Sequence, residues 1–373
     1  MTTLHQIAKR AGVSIGTVDR VIHGRGRVSR ISESRVRKAI HALRYRPNIF
    51  ARQLKRTRPF RFGVMLPRPD QDGRFWRIPT RGITRASEEL KSHHIETRFF
   101  TFDRYSIRSF ARACEAVSVA GLDGLLCAPV LTAAAGKFNS RIPQSLPTVF
   151  FDSVIPGFDS LCSIVQDSYA SGRLSGRLMH LLYSRPSTLA AIRFLPEDFH
   201  IDERVRGFVD YFQNIPAYTI RVVDASADKH KIDFALLVDS LLDQNPNLSG
   251  IFVSNALTYG VAMALEKRGQ SGRVRVIGYD LLEENVACLR RGSIEFLISQ
   301  QSEDQGFRGM YTLFRHVVLN EPVPRTITMP IDIITRENVD SARSMTMAES
   351  MENSEPTLHR GNVHRRTAVK EEV

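Results

Sequence analysis

The sequence predicts an α/β protein: a short helical unit at the N-terminus, then a large body in which strands and helices alternate to build parallel sheets. Three observations carry this. Apolar residues up to about residue 44 recur at helical spacing between capping residues; from Phe60 onward strand-like runs are separated by helical stretches of roughly ten to fifteen residues; and positive charge is concentrated at one end. Up to Arg61 there are sixteen Lys or Arg against two acids, Asp19 and Glu33, a net of +14, whereas the whole 373-residue chain is +13, so residues 62–373 come to −1. A basic module on a near-neutral body points to one surface built for phosphates rather than to a generic polyanion binder.

Thr3 and Gln6 have the spacing of a capping box, which satisfies free N–H groups at a helix start, and Leu4, Ile7, Ala8 and Ala11 then share one face. Gly12 ends this helix. Ser14 caps a second, in which Val18, Val21 and Ile22 face inward while Ile15, Gly16, Thr17, Asp19 and Arg20 stay around the N-terminal outer side. A third helix is expected from about Ser32 to Arg44, with Val36, Ala39, Ile40 and Leu43 as its buried stripe and Pro47 as its stop. The first two helices have helix-turn-helix spacing, which offers the start of the second to a DNA major groove.

These residues, written A-x-x-A-G-V-S-x-x-T-V-x-R-V-I, then V-S, then L-x-Y-x-P-N-x-x-A-R-x-L, resemble the headpiece and hinge of the LacI/GalR family of bacterial transcription regulators over some fifty consecutive positions. The rest of the chain matches more loosely, to about Glu337. The resemblance implies a DNA-binding headpiece at 1–47, a hinge helix and linker at 48–59 and a two-lobed core at 60–337; residues 338–373, polar, poor in apolar residues and without sustained periodicity, read as a disordered tail. It places Thr3, Ser14, Ile15, Gly16, Thr17, Asp19, Arg20, His23 and Arg27 against DNA. Arg20 is the candidate for a bidentate guanine contact, and Ile15 for a thymine methyl. Gly16 has no side chain to read a base. Asp19 stands where most members have Ser; it either orients Arg20 or accepts from a cytosine amino group. Residues 48–55 resemble the hinge helix that folds when two subunits meet on DNA. There Asn48 opens the helix, Ala51 allows close helix approach, Arg52 and Lys55 supply phosphate contacts, and Leu54 wedges between base pairs from the minor groove.

The body reads as strands FRFGVML, ETRFFTF, GLLCAPV, TVFFDS, SIVQD, TLAAIRFL, TIRVVDA, GIFVSN, VRVIGYD and EFLISQQ, too many for one sheet. Two similar halves, roughly 60–157 and 160–292, with the chain crossing back at about 296–322, resemble the type I periplasmic-binding-protein fold that forms the family's effector core. Ligands of open α/β sheets sit beyond the carboxyl ends of the strands. The resemblance selects Asp152, Arg204, Asn255 and Asp280 there, with Phe75 and Trp76 after the first strand and Gln300, beside Gln301, at the crossover. An Arg with carboxylates and an amide suits the vicinal hydroxyls of a sugar, and an aromatic pair suits its apolar face. Asp167 has the position of a helix cap.

The remaining motifs exclude more than they assign. No Walker A loop, H-E-x-x-H or G-x-S-x-G occurs, and the S-x-x-K spacing of Ser226 and Lys229 falls in a polar turn, so no enzyme is expected. Cys114, Cys127, Cys162 and Cys288 lie far apart without a C-x-x-C pair, the pattern of buried thiols rather than of a disulfide scaffold or metal site. No cofactor is expected. The N-terminus lacks a signal peptide, and no uncharged apolar run of about 18 residues is present to cross a bilayer. The tail lacks leucine heptads, so a homodimer is expected rather than a tetramer. Together these imply a cytoplasmic repressor of a pseudo-palindromic double-stranded DNA operator, controlled by a small-molecule effector, with a sugar favoured. The alternatives are a nucleobase corepressor and a sugar-binding transport receptor; a phosphorylated sugar also remains open.

Overall fold

A computed structural model describes residues 3–23, 26, 28–43, 58–131, 134–183, 186–194, 198–225 and 232–343. The chain divides into two compact units, Met1–Arg58 and Pro59–Val373.

In the first unit, α1 (Leu4–Ala11) starts at the Thr3–Gln6 capping box and ends at Gly12, whose left-handed backbone (φ 64°) lets the chain turn without a Cβ penalty. Ser14 Oγ accepts from Thr17 N–H at 3.2 Å and so caps α2 (Ile15–His23). The third helix, α3 (Arg30–Ala42), begins two residues earlier than expected because Ser29 caps it: Ser29 Oγ accepts from Ser32 N–H at 3.2 Å. Ile7, Ala8, Ala11, Val18, Val36 and Ala39 form the shared core, with Leu4, Val21, Ile22, Ile40 and Leu43 packed around it. This core is small, so each cap, contributing about 1 kcal/mol, is a sizeable part of its stability.

In the second unit the first lobe runs through β1 (Phe60–Pro67), α4 (Arg77–Leu90), β2 (Ile95–Phe102), α5 (Ile107–Val119), β3 (Gly124–Cys127), α6 (Ala135–Arg141), β4 (Thr148–Phe151) and β5 (Cys162–Gln166). The chain crosses to the second lobe for α7 (Ser168–Leu181), β6 (Ser187–Phe194), α8 (Phe199–Phe212), β7 (Tyr218–Ala225), α9 (Phe234–Gln244), β8 (Leu248–Val253), α10 (Thr258–Lys267), β9 (Arg275–Tyr279), α11 (Glu283–Arg291) and β10 (Phe296–Ser299). It returns to the first lobe as α12 (Ser302–Leu313) and β11 (Thr326–Met329), then ends in the second with β12 (Asp332–Ile334).

Each sheet has six strands, ordered β11-β5-β4-β3-β1-β2 and β12-β10-β9-β8-β6-β7. All pairs are parallel except β10 with β12. Every strand expected from the sequence is present. The lobe limits differ: β5 pairs with β4, so the first lobe reaches Gln166 rather than 157, and β10 stays with the second sheet, so the return begins at Gln300 rather than 296. The two unanticipated strands, β11 and β12, are short, partly exposed edge strands flanked by prolines, which leave no clear period in the sequence.

The lobes are therefore joined at three points, after β5, β10 and β11, and one side chain ties all three. Gln166 Nε2 donates to Ser299 O at 3.0 Å and to Pro330 O at 2.8 Å. Beyond β12 the body does not stop at 337. Val339 is fully buried in the second-lobe core and Ala342 packs against it, so the boundary expected at 338 lies within folded chain. The four cysteines are free and buried, and among the described residues no helix is long and apolar enough to cross a membrane.

Candidate functional site

On the first unit, the start of α2 presents a surface. Ser14, Ile15, Gly16 and Arg20 are exposed, with Ile15 at 46% accessibility despite its apolar side chain, and Thr17 and Asp19 are half-buried beside them. Ser14 Oγ and Thr17 Oγ1 are hydrogen-bonded at 3.0 Å, and the Arg20 Nε–H donates to Gly16 O at 3.1 Å, which steers the guanidinium along the helix toward its N-terminal end. An exposed Ile and a steered Arg at a helix start, with the positive end of the helix dipole, suit a groove lined by phosphates. Thr3 is also exposed, at the start of α1. His23 ends α2; its side chain, and the whole of Arg27, Asn48, Ala51, Arg52, Leu54 and Lys55, lie outside the described residues, as do Ser226, Lys229 and residues 344–373.

In the second unit the strand ends of both lobes border a small pocket of about 20 Å³, lined by Asp72, Phe75, Arg104, Asp152, His200, Ile201, Arg204, Asn255, Ala256, Asp280 and Gln300. That is room for one water. A wider cleft of about 620 Å³ adjoins it and shares Asp280; the Arg74–Glu284 ion pair crosses this cleft from lobe to lobe. The charged groups of the wider cleft are largely paired with one another, as in Arg81–Glu303 and Arg343–Glu283. The small cavity is different.

Its second-lobe wall is built on Arg204, in α8. Gly172 of α7 and Gly207 of α8 let those two helices meet backbone to backbone, which fixes Arg204 at the cavity. The guanidinium lies 3.9 Å over the Tyr279 ring, donates through Nη1 to Ser254 O at 3.1 Å and through Nη2 to Gln300 Oε1 at 2.8 Å, and leaves Nε–H buried without a protein partner. Gln300 passes the link on, its Nε2 donating to Asp280 Oδ1 at 3.0 Å. Burial pushes the Asp280 carboxyl up to about 6, against the pull of Arg204. Asn255 Oδ1 accepts from Leu257 N–H at 3.1 Å.

The first-lobe wall centres on Asp152, whose two carboxylate oxygens are both buried without a hydrogen bond. Burial raises its pKa, and nearby His200 offsets part of that. Its main-chain N–H donates to Gln305 Oε1 at 2.8 Å, and Gln305 in turn holds Gln300 O. Asp152 (φ 67°) and Asp280 (φ 69°) follow equivalent strands of the two sheets, and both take the left-handed backbone that Asp tolerates better than most residues.

Across the lobes, Arg104 pairs with Asp72 at 3.1 Å and Asp198 at 2.6 Å. Asp198 also accepts from Ser153 Oγ at 3.2 Å, and His200 Nδ1 stands 2.7 Å from it, short in distance but poorly aligned for a hydrogen bond. Burial alone would raise the Asp198 carboxyl, but His200 and Arg104 outweigh it and hold it below the usual carboxylate value.

Of the expected ligand residues, Phe75, Asp152, Arg204, Asn255, Asp280 and Gln300 line this one cavity. Trp76 does not. Its ring is fully buried beneath Asp72, to whose Oδ2 the indole N–H donates at 2.8 Å, so it positions a carboxylate instead of facing a ligand. Gln301 turns away to Asp332, and Asp167 caps α7 through Ala170 N–H at 2.8 Å. Sequence reasoning missed Asp72, Arg104, Asp198 and His200. The first two follow the ends of β1 and β2, where the rule for open sheets would have found them; Asp198 and His200 gave no comparable signal.

Residues 3–48 match the lacI family of bacterial regulatory proteins, and residues 62–321 match the periplasmic binding protein domain. The chain is 26% identical over 283 residues to a ribose operon repressor of Halalkalibacterium halodurans, covering 75% of this chain and 80% of that protein. It is 25% identical over 346 residues to the ribose operon repressor of Bacillus subtilis, covering 90% and 98%. A solved structure described as a LacI transcriptional regulator, from Bacteroides fragilis, superposes with a TM-score of 0.70 at 28% identity, covering 76% of this chain and 99% of that one.

Proposed function

The chain belongs to the lacI family of bacterial regulatory proteins, and from that premise we propose a cytoplasmic, homodimeric repressor whose hold on a pseudo-palindromic operator is set by a sugar bound between its lobes. It is a DNA-binding transcriptional regulator with a sugar-binding-like effector core, not an enzyme. In this reading the start of α2 reads bases in the major groove, with Arg20 on guanine and Ile15 on a thymine methyl, while residues 48–55 bring Leu54 to the minor groove.

One observation carries the sugar reading: Asp152, whose carboxylate oxygens are buried without a hydrogen bond, and Arg204, whose Nε–H is buried without one, line the same cavity. Buried polar atoms without partners cost about 1–3 kcal/mol each. A ligand that donates and accepts from adjacent atoms satisfies both kinds, and vicinal hydroxyls do this. Phe75 offers the apolar face that a sugar ring packs on, and the ribose operon repressors among the relatives support the same class. Because the cavity holds only one water, a sugar enters when the lobes part about their three connections. Occupancy thus couples to lobe angle, and through it to the DNA-binding unit. A sugar-transport receptor would share the core but has no use for the basic first unit.

Thermal melting of the full chain against free sugars, polyols, sugar phosphates and purines tests this. A free sugar that raises Tm by mass action, at roughly 2.7 kcal/mol for a hundredfold excess over Kd, and that changes operator affinity in a gel-shift titration is the expected result. A shift with purines alone, or none with any sugar, overturns the sugar assignment.

A further inference from the structure

The Arg104 side chain answers two carboxylates from opposite lobes and still has a buried Nε–H without a hydrogen bond. Its loop, directly after β2, is held by protein groups: Arg104 N–H donates to Gln71 Oε1 at 2.9 Å, Gln71 Nε2 donates to Asp103 Oδ1 at 2.7 Å, and Tyr105 OH donates to Asp72 Oδ1 at 2.9 Å. From that anchored loop Nη1 reaches Asp72, in the same lobe, and Nη2 reaches Asp198, in the other. The residue is 4% exposed, and its Nε–H has no protein partner.

Arg204 presents the same feature from the second lobe: two Nη groups committed to protein acceptors and a buried, partnerless Nε–H. Both arginines line the cavity, with Asp152, whose carboxylate accepts no hydrogen bond, as a third wall. We propose that Arg104 is an effector contact supplied by the first lobe, and that its ion pair with Asp198 of the second lobe couples that contact to the closeness of the two lobes. The proposal rests on the reading of the cavity as a sugar site. It assigns Arg104 two tasks that a purely structural ion pair does not have. Its Nε–H donates to a ligand oxygen, and its Nη2, 2.6 Å from Asp198 of the other lobe, ties that contact to lobe closure. The planar fork of a guanidinium spreads these contacts over three nitrogens in fixed directions, whereas an ammonium presents its donors from a single point.

Trp76 provides a built-in reporter. It is the chain's one tryptophan, its indole donates to the Asp72 that pairs with Arg104, and the Arg104 guanidinium carbon lies 5.8 Å from its ring centroid.

The test is isothermal titration of the full chain with D-ribose, D-xylose, L-arabinose and D-glucose, read together with Trp76 fluorescence and the ligand-free Tm of each variant. Wild type is expected to bind at least one of these sugars with a change in Trp76 emission. Arg104→Lys, which keeps a charge near Asp72 and Asp198, is expected to lose at least tenfold in affinity for that sugar, and Asp198→Asn about three- to tenfold. In Arg104→Ala the emission change is expected to vanish even at saturation; if that variant does not fold, the Lys and Asn variants decide. A lowered Tm with sugar affinity within twofold of wild type in Arg104→Lys means a structural ion pair only and overturns the inference while leaving the sugar site in place. No binding of any of the four sugars by wild type overturns both.

Discussion

Gly172 in α7 lies directly against the main-chain carbonyl of Arg204 in α8, so close that a Cβ there would overlap the carbonyl oxygen. The absence of one methyl group thus sets where the second-lobe guanidinium stands. Gly172→Ala is expected to destabilise the body by about 1–3 kcal/mol, as overpacking does, and to weaken effector binding at least tenfold by displacing Arg204. Urea unfolding and sugar titration of the same variant measure the two effects.

Gln166 governs how the lobes are joined. Its amide donates to one carbonyl on each of the two later connections, so Gln166→Ala removes two hydrogen bonds at a single point of pivot. The expected cost is on the order of 1–2 kcal/mol, with a larger relative change in effector response than in stability, because the lost bonds restrain lobe angle. Small-angle scattering with and without sugar would show a wider spread of lobe separation in the variant; an unchanged profile would remove Gln166 from the hinge.

The Asp280 carboxyl titrates at about 6 in the folded protein, above its ordinary value, because burial disfavours its charge. A raised carboxyl contributes stability that is fully present below the ordinary pKa and is lost as pH rises through about 6. Asp280→Asn has no such loss. The stability difference between variant and wild type should therefore move in the variant's favour between pH 4 and pH 7, by on the order of 2 kcal/mol. Asp198, whose pKa is lowered, contributes in the opposite sense but equally to both proteins and cancels in the difference.

Separate substitutions should divide the two activities. Arg20→Ala is expected to cost about 1–3 kcal/mol of specific operator affinity and to relax base preference at one position, with sugar binding unchanged. Arg204→Ala should abolish the effector response and leave operator affinity in place. Gel-shift titrations with operator and random DNA, each with and without sugar, check both, and a normal sugar response in the Arg204 variant would mean that the cavity is not the effector site.

Much of this was legible in the chain itself. The Thr3–Gln6 box, the Ser14 cap, the Gly12 stop and the apolar stripes through Ile7, Val18 and Val36 are local patterns, set by interactions between residues three or four apart, and they define the first unit. The strands of the body were equally legible, since runs such as FRFGVML and GIFVSN are fully or nearly fully buried on both faces and need no partner to be recognised. The strand-end rule, joined to the family resemblance, selected Phe75, Asp152, Arg204, Asn255, Asp280 and Gln300, which line one cavity.

What the sequence by itself determined was therefore the order of elements, the placement of the charge and most of the residues at the strand ends, because each depends on near neighbours along the chain. Only the tertiary structure decided which sheet takes β5, that Trp76 serves Asp72 rather than a ligand, that Val339 belongs to the core, and that Arg104 meets Asp198 across 94 residues. Those outcomes depend on which distant groups share a low-dielectric space, where a lone carboxylate or guanidinium must find a partner, and no local period along the chain records that choice.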